Sequence, residues 1–419
     1  MVHDERARQI LRENDRGGYT VPTAGLYPYQ WNWDSVFVAL GFATFDRERA
    51  WREIETLFEA QWPDGMVPHI VFRVDEPTYF PGPSVWQAER GPIPSSGITQ
   101  PPVAATVIRA LAGDEPERAA HLLDTGDRWH AWFHAARDPD GLGVIGVIHP
   151  WESGRDNLPD WDRPGEAIDV SGVGPYTRQD TSIVGADMRP KKRDYDRYVA
   201  LVEFGRALGW DQVRIARTSP FFVADPGISS ILLRAERDLH ALLEDTGRPA
   251  DHVAERIMRL EAGMDRLWSE DAGGYVTQDL RTGQLADTAT SASFLPLFAG
   301  ITRRKEGLLH TLDAMAERVE FLVPSFDPRS ESFDHVRYWR GPVWAMVNWM
   351  IAQGLTECGE RDWAERVRQD THALIAGGGF AEYFSPTDGR GCGGGAFSWT
   401  AAIWLAWGLS NIGEALADG

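Results

Sequence analysis

Cysteine is nearly absent. Cys358 and Cys392 are the only two in 419 residues, so no disulfide framework supplies the stability, and a reducing cytoplasm is the expected compartment. Long apolar runs are missing too. None approaches the roughly 20 residues that span a bilayer. The opening MVHDERARQILRENDRGG has no apolar stretch behind a basic segment, so neither a membrane span nor a secretory signal is read. Concentrated positive charge is equally scarce: the net charge is −20, and the densest basic run is Lys191, Lys192 and Arg193. Nucleic acid is therefore not an expected partner, because phosphate binding needs a basic surface. The acidity favours solubility and still allows a small anionic ligand, since one local Arg can hold a carboxylate. No repeat period is visible, which argues against an α-solenoid. Strand alternation is confined to GLGVIGVIHP (141–150) and GGYVTQDL (273–280).

What the chain does contain is helical periodicity and tryptophan. Segments 34–45 and 47–62 read as a helix pair, followed by an irregular Pro/Gly-rich stretch from Pro63 to Gly97. Segment 101–113 is expected to open with prolines in its first turn, and 116–137 follows it. After a second irregular stretch, Asp138 to Lys192, helical patterns resume at 194–209, 228–247, 251–269, 291–301, 304–320, 341–355, 361–378 and 397–413. About a dozen helices thus alternate between apolar and amphipathic. That alternation predicts an all-α (α/α)6 barrel, apolar inner helices shielded by amphipathic outer ones, with long active-site loops at one end. No linker divides residues 1–419, so a single catalytic domain is expected.

The chain has 18 Trp. Many sit in polar, Gly/Pro-rich segments, where aromatic rings around a pocket suit the C–H faces of sugars. Four segments are rich in polar and aromatic residues without helical period: YPYQWNWDS (27–35), WESGRDNLPDWD (151–162), YWRGPVW (338–344) and FAEYFSPTDGRGCGGGAFSWT (380–400). Glycosidic hydrolysis needs one protonated carboxyl and one ionised carboxylate on opposite faces of the sugar. Asp156, between Trp151 and Trp161, and Glu382, beside Phe380, Tyr383 and Phe384, are the candidates. Asp160 and Asp162 can equally be turn formers. His130 and His134 have metal-ligand spacing but lack the HExxH glutamate, so packing is expected there. GRGCGGG lacks the ending of a phosphate loop and reads as a mobile flap beside Glu382.

In this combination and order the four segments resemble glycoside hydrolase family 63, in particular its small bacterial members that act on mannosylglycerate and glucosylglycerate. The resemblance implies the (α/α)6 barrel, inversion at the anomeric carbon, and no metal or cofactor. It implies Asp156 as general acid and Glu382 as general base, with Asp34 binding sugar hydroxyls and Trp31, Trp339 and Trp344 walling the pocket. Tyr27, Tyr79, Gln100, Arg189 and Tyr195 resemble positions that hold glycerate, and His69, Arg340 and Gly341 complete the expected binding set. Arg189 is the physically sensible carboxylate partner, although Arg193 and Arg197 lie close by in sequence. The expected partner is a small anionic glycoside, and a homo-oligomer is left open. The alternatives are a neutral α-glucosidase acting on kojibiose- or trehalose-like disaccharides, a sugar epimerase or isomerase, and a noncatalytic sugar-binding module. Epimerases on such barrels rely on paired histidines, and the four segments contain none.

Overall fold

The structure is a computed structural model that describes residues 2–113 and 115–407. Among these residues six helices form a closed inner ring: Asn32–Ala43, Ala104–Ala112, Pro226–Asp245, Leu295–Phe298, Ala345–Glu357 and Ser398–Trp407. Each packs on the next, and Ser398–Trp407 returns to Asn32–Ala43. The first inner helix is buried on all sides, with every residue from Asn32 to Phe42 inside, and Pro226–Asp245 exposes charged residues only towards its C-terminal end. Close approach needs small residues at the seam. At Gly41 an added Cβ would lie 2.6 Å from the Ala402 Cα.

The helices Val2–Asn14, Arg47–Phe58, Ala120–Ala136, Asp251–Gly263, Lys305–Ala316 and Arg361–Gly378 alternate with the inner ones along the chain and form the outer ring. They are amphipathic: Asp251–Gly263 buries only Val253, Arg256, Leu260 and Gly263, the one-sided spacing of a surface helix. The molecule is an (α/α)6 barrel.

Several details differ from the sequence reading. The N-terminal helix, not read from its charged sequence, is one of the outer six. It is joined to the last inner helix by Trp404 Nε1 donating to Asp4 Oδ1 at 2.8 Å and by Asn14 Nδ2 donating to Ser398 Oγ at 2.9 Å. The expected 194–209 helix exists as Lys192–Ala207, but it packs on the short Pro83–Trp86 helix outside the rings. Pro101 and Pro102 precede the Ala104–Ala112 helix instead of opening it. The expected 291–301 helix is a 3-10 turn, Ser291–Phe294, running into Leu295–Phe298. Residues 408–413 of the last expected helix lie outside the described residues.

The long connections carry short antiparallel strands. Gln30–Trp31 pairs with Ile70–Val71, which brings Trp31 beside His69 at one end of the barrel. Gly146–Val147 pairs with Val223–Ala224, which pairs in turn with Gln278–Asp279. Tyr383–Phe384 pairs with Gly391–Cys392. Among the described residues no helix is long and apolar enough to cross a membrane.

Candidate active site

The connections converge on one cleft of about 950 Å³ of space open to solvent, a size that suits a small glycoside. All four polar–aromatic segments reach it. The strand Gln30–Trp31 and the first turn of Asn32–Ala43 present Trp31, Trp33 and Asp34, and Trp151 and Asp156 come from the irregular stretch before Lys192. Tyr338 and Trp339 close one wall, and Glu382 enters from just before the strand Tyr383–Phe384.

The two candidate carboxyls sit in opposite surroundings. Burial pushes the Asp156 carboxyl up to about 7. Its own backbone N–H and Arg189 oppose the rise, and the Glu382 charge adds to it. Glu382 is instead wrapped in donors. The Tyr27 hydroxyl donates to Oε1 at 3.0 Å, Arg189 Nη1 donates to the same oxygen at 3.3 Å, and the Gly394 N–H donates to Oε2 at 3.0 Å. The two carboxyls of the cleft thus differ in setting, Asp156 desolvated and Glu382 hydrogen-bonded.

Around them, Asp34 is buried at the cleft, and burial together with the Glu382 charge holds its carboxyl well above the usual range. Burial keeps His69 far below its ordinary pKa, so it is a neutral imidazole, stacked on Trp151 with ring centres 6.1 Å apart. Gln100 accepts from the Trp33 backbone N–H at 3.3 Å. The Tyr195 hydroxyl donates to the Phe80 carbonyl at 3.3 Å, and Tyr79 packs edge-on against Trp31 at 5.7 Å. Tyr27, Trp31, Tyr79, Gln100, Arg189, Tyr195 and Trp339 all line the cleft.

The family model for the mannosylglycerate hydrolase MGH1-like glycoside hydrolase domain matches residues 27–400, nearly the whole chain. The chain belongs to this family of glycoside hydrolases. A mannosylglycerate hydrolase of Thermus thermophilus is 46% identical over 412 residues, covering 96% of this chain and 99% of the relative. A glucosylglycerate hydrolase of Mycolicibacterium hassiacum is 36% identical over 443 residues, covering 96% of each chain. A solved GH63 mannosylglycerate hydrolase, also from Thermus thermophilus and in complex with Tris and D-glycerate, superposes with a TM-score of 0.94 at 45% identity, covering 97% of this chain and 100% of that one.

Within this glycoside hydrolase barrel several expected site residues fall outside the cleft wall. Trp344 stands behind Trp339, stacked on it at 3.8 Å and 2°, and on Tyr383 at 4.6 Å. Arg340 makes a two-bond ion pair with Asp162, at 3.0 and 2.7 Å, one layer back. An added Cβ on Gly341 would lie 2.6 Å from the Asp334 carbonyl oxygen, so it serves close backbone packing.

The expected aromatic boxes also change. Trp161 turns away from the cleft: its indole N–H donates to the Arg155 carbonyl and its ring packs on Phe221. Phe380, Tyr383 and Phe384 do not line the cleft, whereas Phe397 and Trp399 do. GRGCGGG is not a free flap. Gly391–Cys392 is paired as a strand, and Gly393, at φ +73°, presses so close that a Cβ would lie 2.4 Å from Glu382 Oε2. His130 and His134 both turn to the buried Glu236, at 3.2 and 3.1 Å, in a packing role.

The sequence reading missed Tyr338, Gln179 and Asp180. Tyr338 lay within YWRGPVW, and its ring stands 5.0 Å from the Arg189 guanidinium with its backbone at φ 44°, a strained conformation of the kind found at functional sites. Gln179 and Asp180 lie in the irregular stretch 138–192, where no spacing marked them.

Proposed function

We propose that this chain is an inverting α-glycosidase that hydrolyses mannosylglycerate or glucosylglycerate to the free hexose and D-glycerate. The observation that carries the reading is the contrast between Asp156, raised to about 7 by burial, and Glu382, held by three donors in the same cleft. The protonated Asp156 carboxyl gives its proton to the glycosidic oxygen as the bond from C1 to that oxygen breaks, releasing glycerate with a free hydroxyl. A water attacks C1 from the opposite face and passes its proton to the Glu382 carboxylate. Two protonation changes balance the step, and no covalent intermediate forms.

Asp34 is assigned to the sugar hydroxyls, Trp31 and Trp339 to the apolar faces of the ring, and Tyr27, Tyr79, Gln100, Arg189 and Tyr195 to the glycerate. His69, which lines the cleft and is kept neutral by burial, is assigned to the same binding set. The relatives named mannosylglycerate and glucosylglycerate hydrolase, and the solved relative holding D-glycerate, support this substrate class. The residues assigned act as one catalytic domain. The free thiols Cys358 and Cys392 support a reducing, cytoplasmic setting.

Release of hexose from mannosylglycerate, glucosylglycerate, kojibiose and trehalose tests the reading. The glycerates are expected to be cleaved fastest, and Asp156→Asn and Glu382→Gln each to lose most turnover while remaining folded. Near-normal activity in either variant removes that residue from its role.

A further inference from the structure

The cleft carries more carboxyl groups than cations. Those of Asp34, Asp156, Asp180 and Glu382 line it, against the single guanidinium of Arg189. A glycoside bearing its own carboxylate enters that field at a disadvantage. Burial favours the neutral forms of Asp34 and Asp156, and Glu382 must be ionised to act as the base. Asp180 is the remaining negative charge, and no step proposed above uses it.

Asp180 is tightly held. Arg178, two residues earlier, grips it in a fork, Nε donating to Oδ1 at 3.0 Å and Nη2 to Oδ2 at 2.5 Å. Arg178 Nη1 donates to the Pro190 carbonyl at 2.6 Å, and the guanidinium lies 4.1 Å over the ring of Tyr195, a cleft residue. The Arg178 side chain is only 9% exposed, so this pair keeps its geometry where an exposed one would not. Asp180 Oδ2 comes no nearer than 3.7 Å to Arg189 Nε, beyond hydrogen-bond length. That Nε is buried and has no hydrogen-bond partner.

We infer that the Arg178–Asp180 pair is a specificity device for a carboxylate-bearing aglycone. Arg178 cancels the Asp180 charge and holds that carboxylate 3.7 Å from Arg189 Nε, so the cleft's guanidinium meets the substrate carboxylate without a second free anion beside it. The inference rests on the substrate class proposed above. Arg178 touches no reacting atom. It is a positioning residue that acts through Asp180 and Arg189.

The test compares glycosides of glycerate with those of glycerol, which differ only in the carboxylate, and reads the ratio of their kcat/KM values. Arg178→Met is expected to lower the anionic-to-neutral ratio about tenfold, about 1.4 kcal/mol, and Asp180→Asn to raise it. The double variant is expected to return close to wild type, because the charge that needed cancelling is gone. A lost loop tether would not be repaired by removing Asp180. A ratio unmoved in either single variant, or a double variant as low as Arg178→Met, overturns the inference. If Arg178→Met does not fold, Asp180→Asn decides: a ratio that fails to rise contradicts it. Failure of the wild-type protein to cleave any glycosylglycerate is a separate result, and it overturns the substrate class itself.

Discussion

Arg189 Nη1 donates to Glu382 Oε1 at 3.3 Å, and Arg189 Nη2 donates at 2.7 Å to the Tyr27 hydroxyl, which bonds the same carboxylate oxygen. The residue expected to hold the substrate's carboxylate therefore also holds Glu382 in place. Arg189→Ala should lower kcat on neutral glycosides as well as on glycosylglycerates, with an added rise in KM only for the latter. The added loss for an unpaired carboxylate is on the order of 2–5 kcal/mol. Steady-state kinetics on both substrate classes check this; an unchanged kcat on neutral glycosides would mean that the Glu382 contact plays no part in turnover.

Asp156 must carry its proton to act as an acid, and its carboxyl is raised to about 7. The expected pH profile of kcat/KM is a fall as pH rises through about 7. The same shift bears on stability. The folded-state value lies above the unfolded one, so the contribution is full at acidic pH below the ordinary carboxylate range and is lost as pH rises through about 7. Asp156→Asn removes that loss, and its Tm at pH 8 should exceed that of the wild type. A lower Tm at pH 8 would argue that the buried carboxyl is not strained there.

Gly393 sets the place of the Glu382 carboxylate. Its φ of +73° disfavours any side chain, and a Cβ would lie 2.4 Å from Glu382 Oε2. Gly393→Ala should displace the carboxylate and cut kcat by about 10²-fold, as misplacing a reacting group does. KM should change far less. A loss confined to KM would show that Glu382 tolerates the shift.

The fold was legible because helical periodicity follows from which faces are buried. What periodicity does not say is against what. Lys192–Ala207 buries Tyr198, Val199, Leu201, Val202 and Gly205 yet lies outside the rings, and Val2–Asn14 escaped notice because it buries little beyond Ala7, Ile10 and Leu11. At the site, Asp156 and Glu382 stood out as carboxyls in aromatic loops without helical period, and one cleft contains both. Their aromatic neighbours were misread because neighbours in sequence diverge in space. The 3-10 turn Pro159–Trp161 swings the Trp161 indole toward Phe221, and the Tyr383 ring stacks on Trp344 behind the cleft wall. Arg340, within YWRGPVW, pairs with Asp162 behind the cleft wall, a contact that spacing alone cannot distinguish from substrate binding.

Trp344 tests that distinction. It is 1% exposed and sandwiched between Trp339 and Tyr383. Trp344→Ala should cost about 3–5 kcal/mol of stability, measured by denaturant unfolding. Its KM should rise only as far as Trp339 loses its backing. Unchanged stability with a large KM effect would place Trp344 in direct contact with substrate.

The most direct test of the account is the anomer first released. Proton NMR of a fresh reaction on mannosylglycerate or glucosylglycerate should show the β-hexose before mutarotation, because water activated by Glu382 attacks opposite to the bond that Asp156 protonates. First appearance of the α-hexose would mean a retaining enzyme with a covalent intermediate, and would contradict the role given to Glu382.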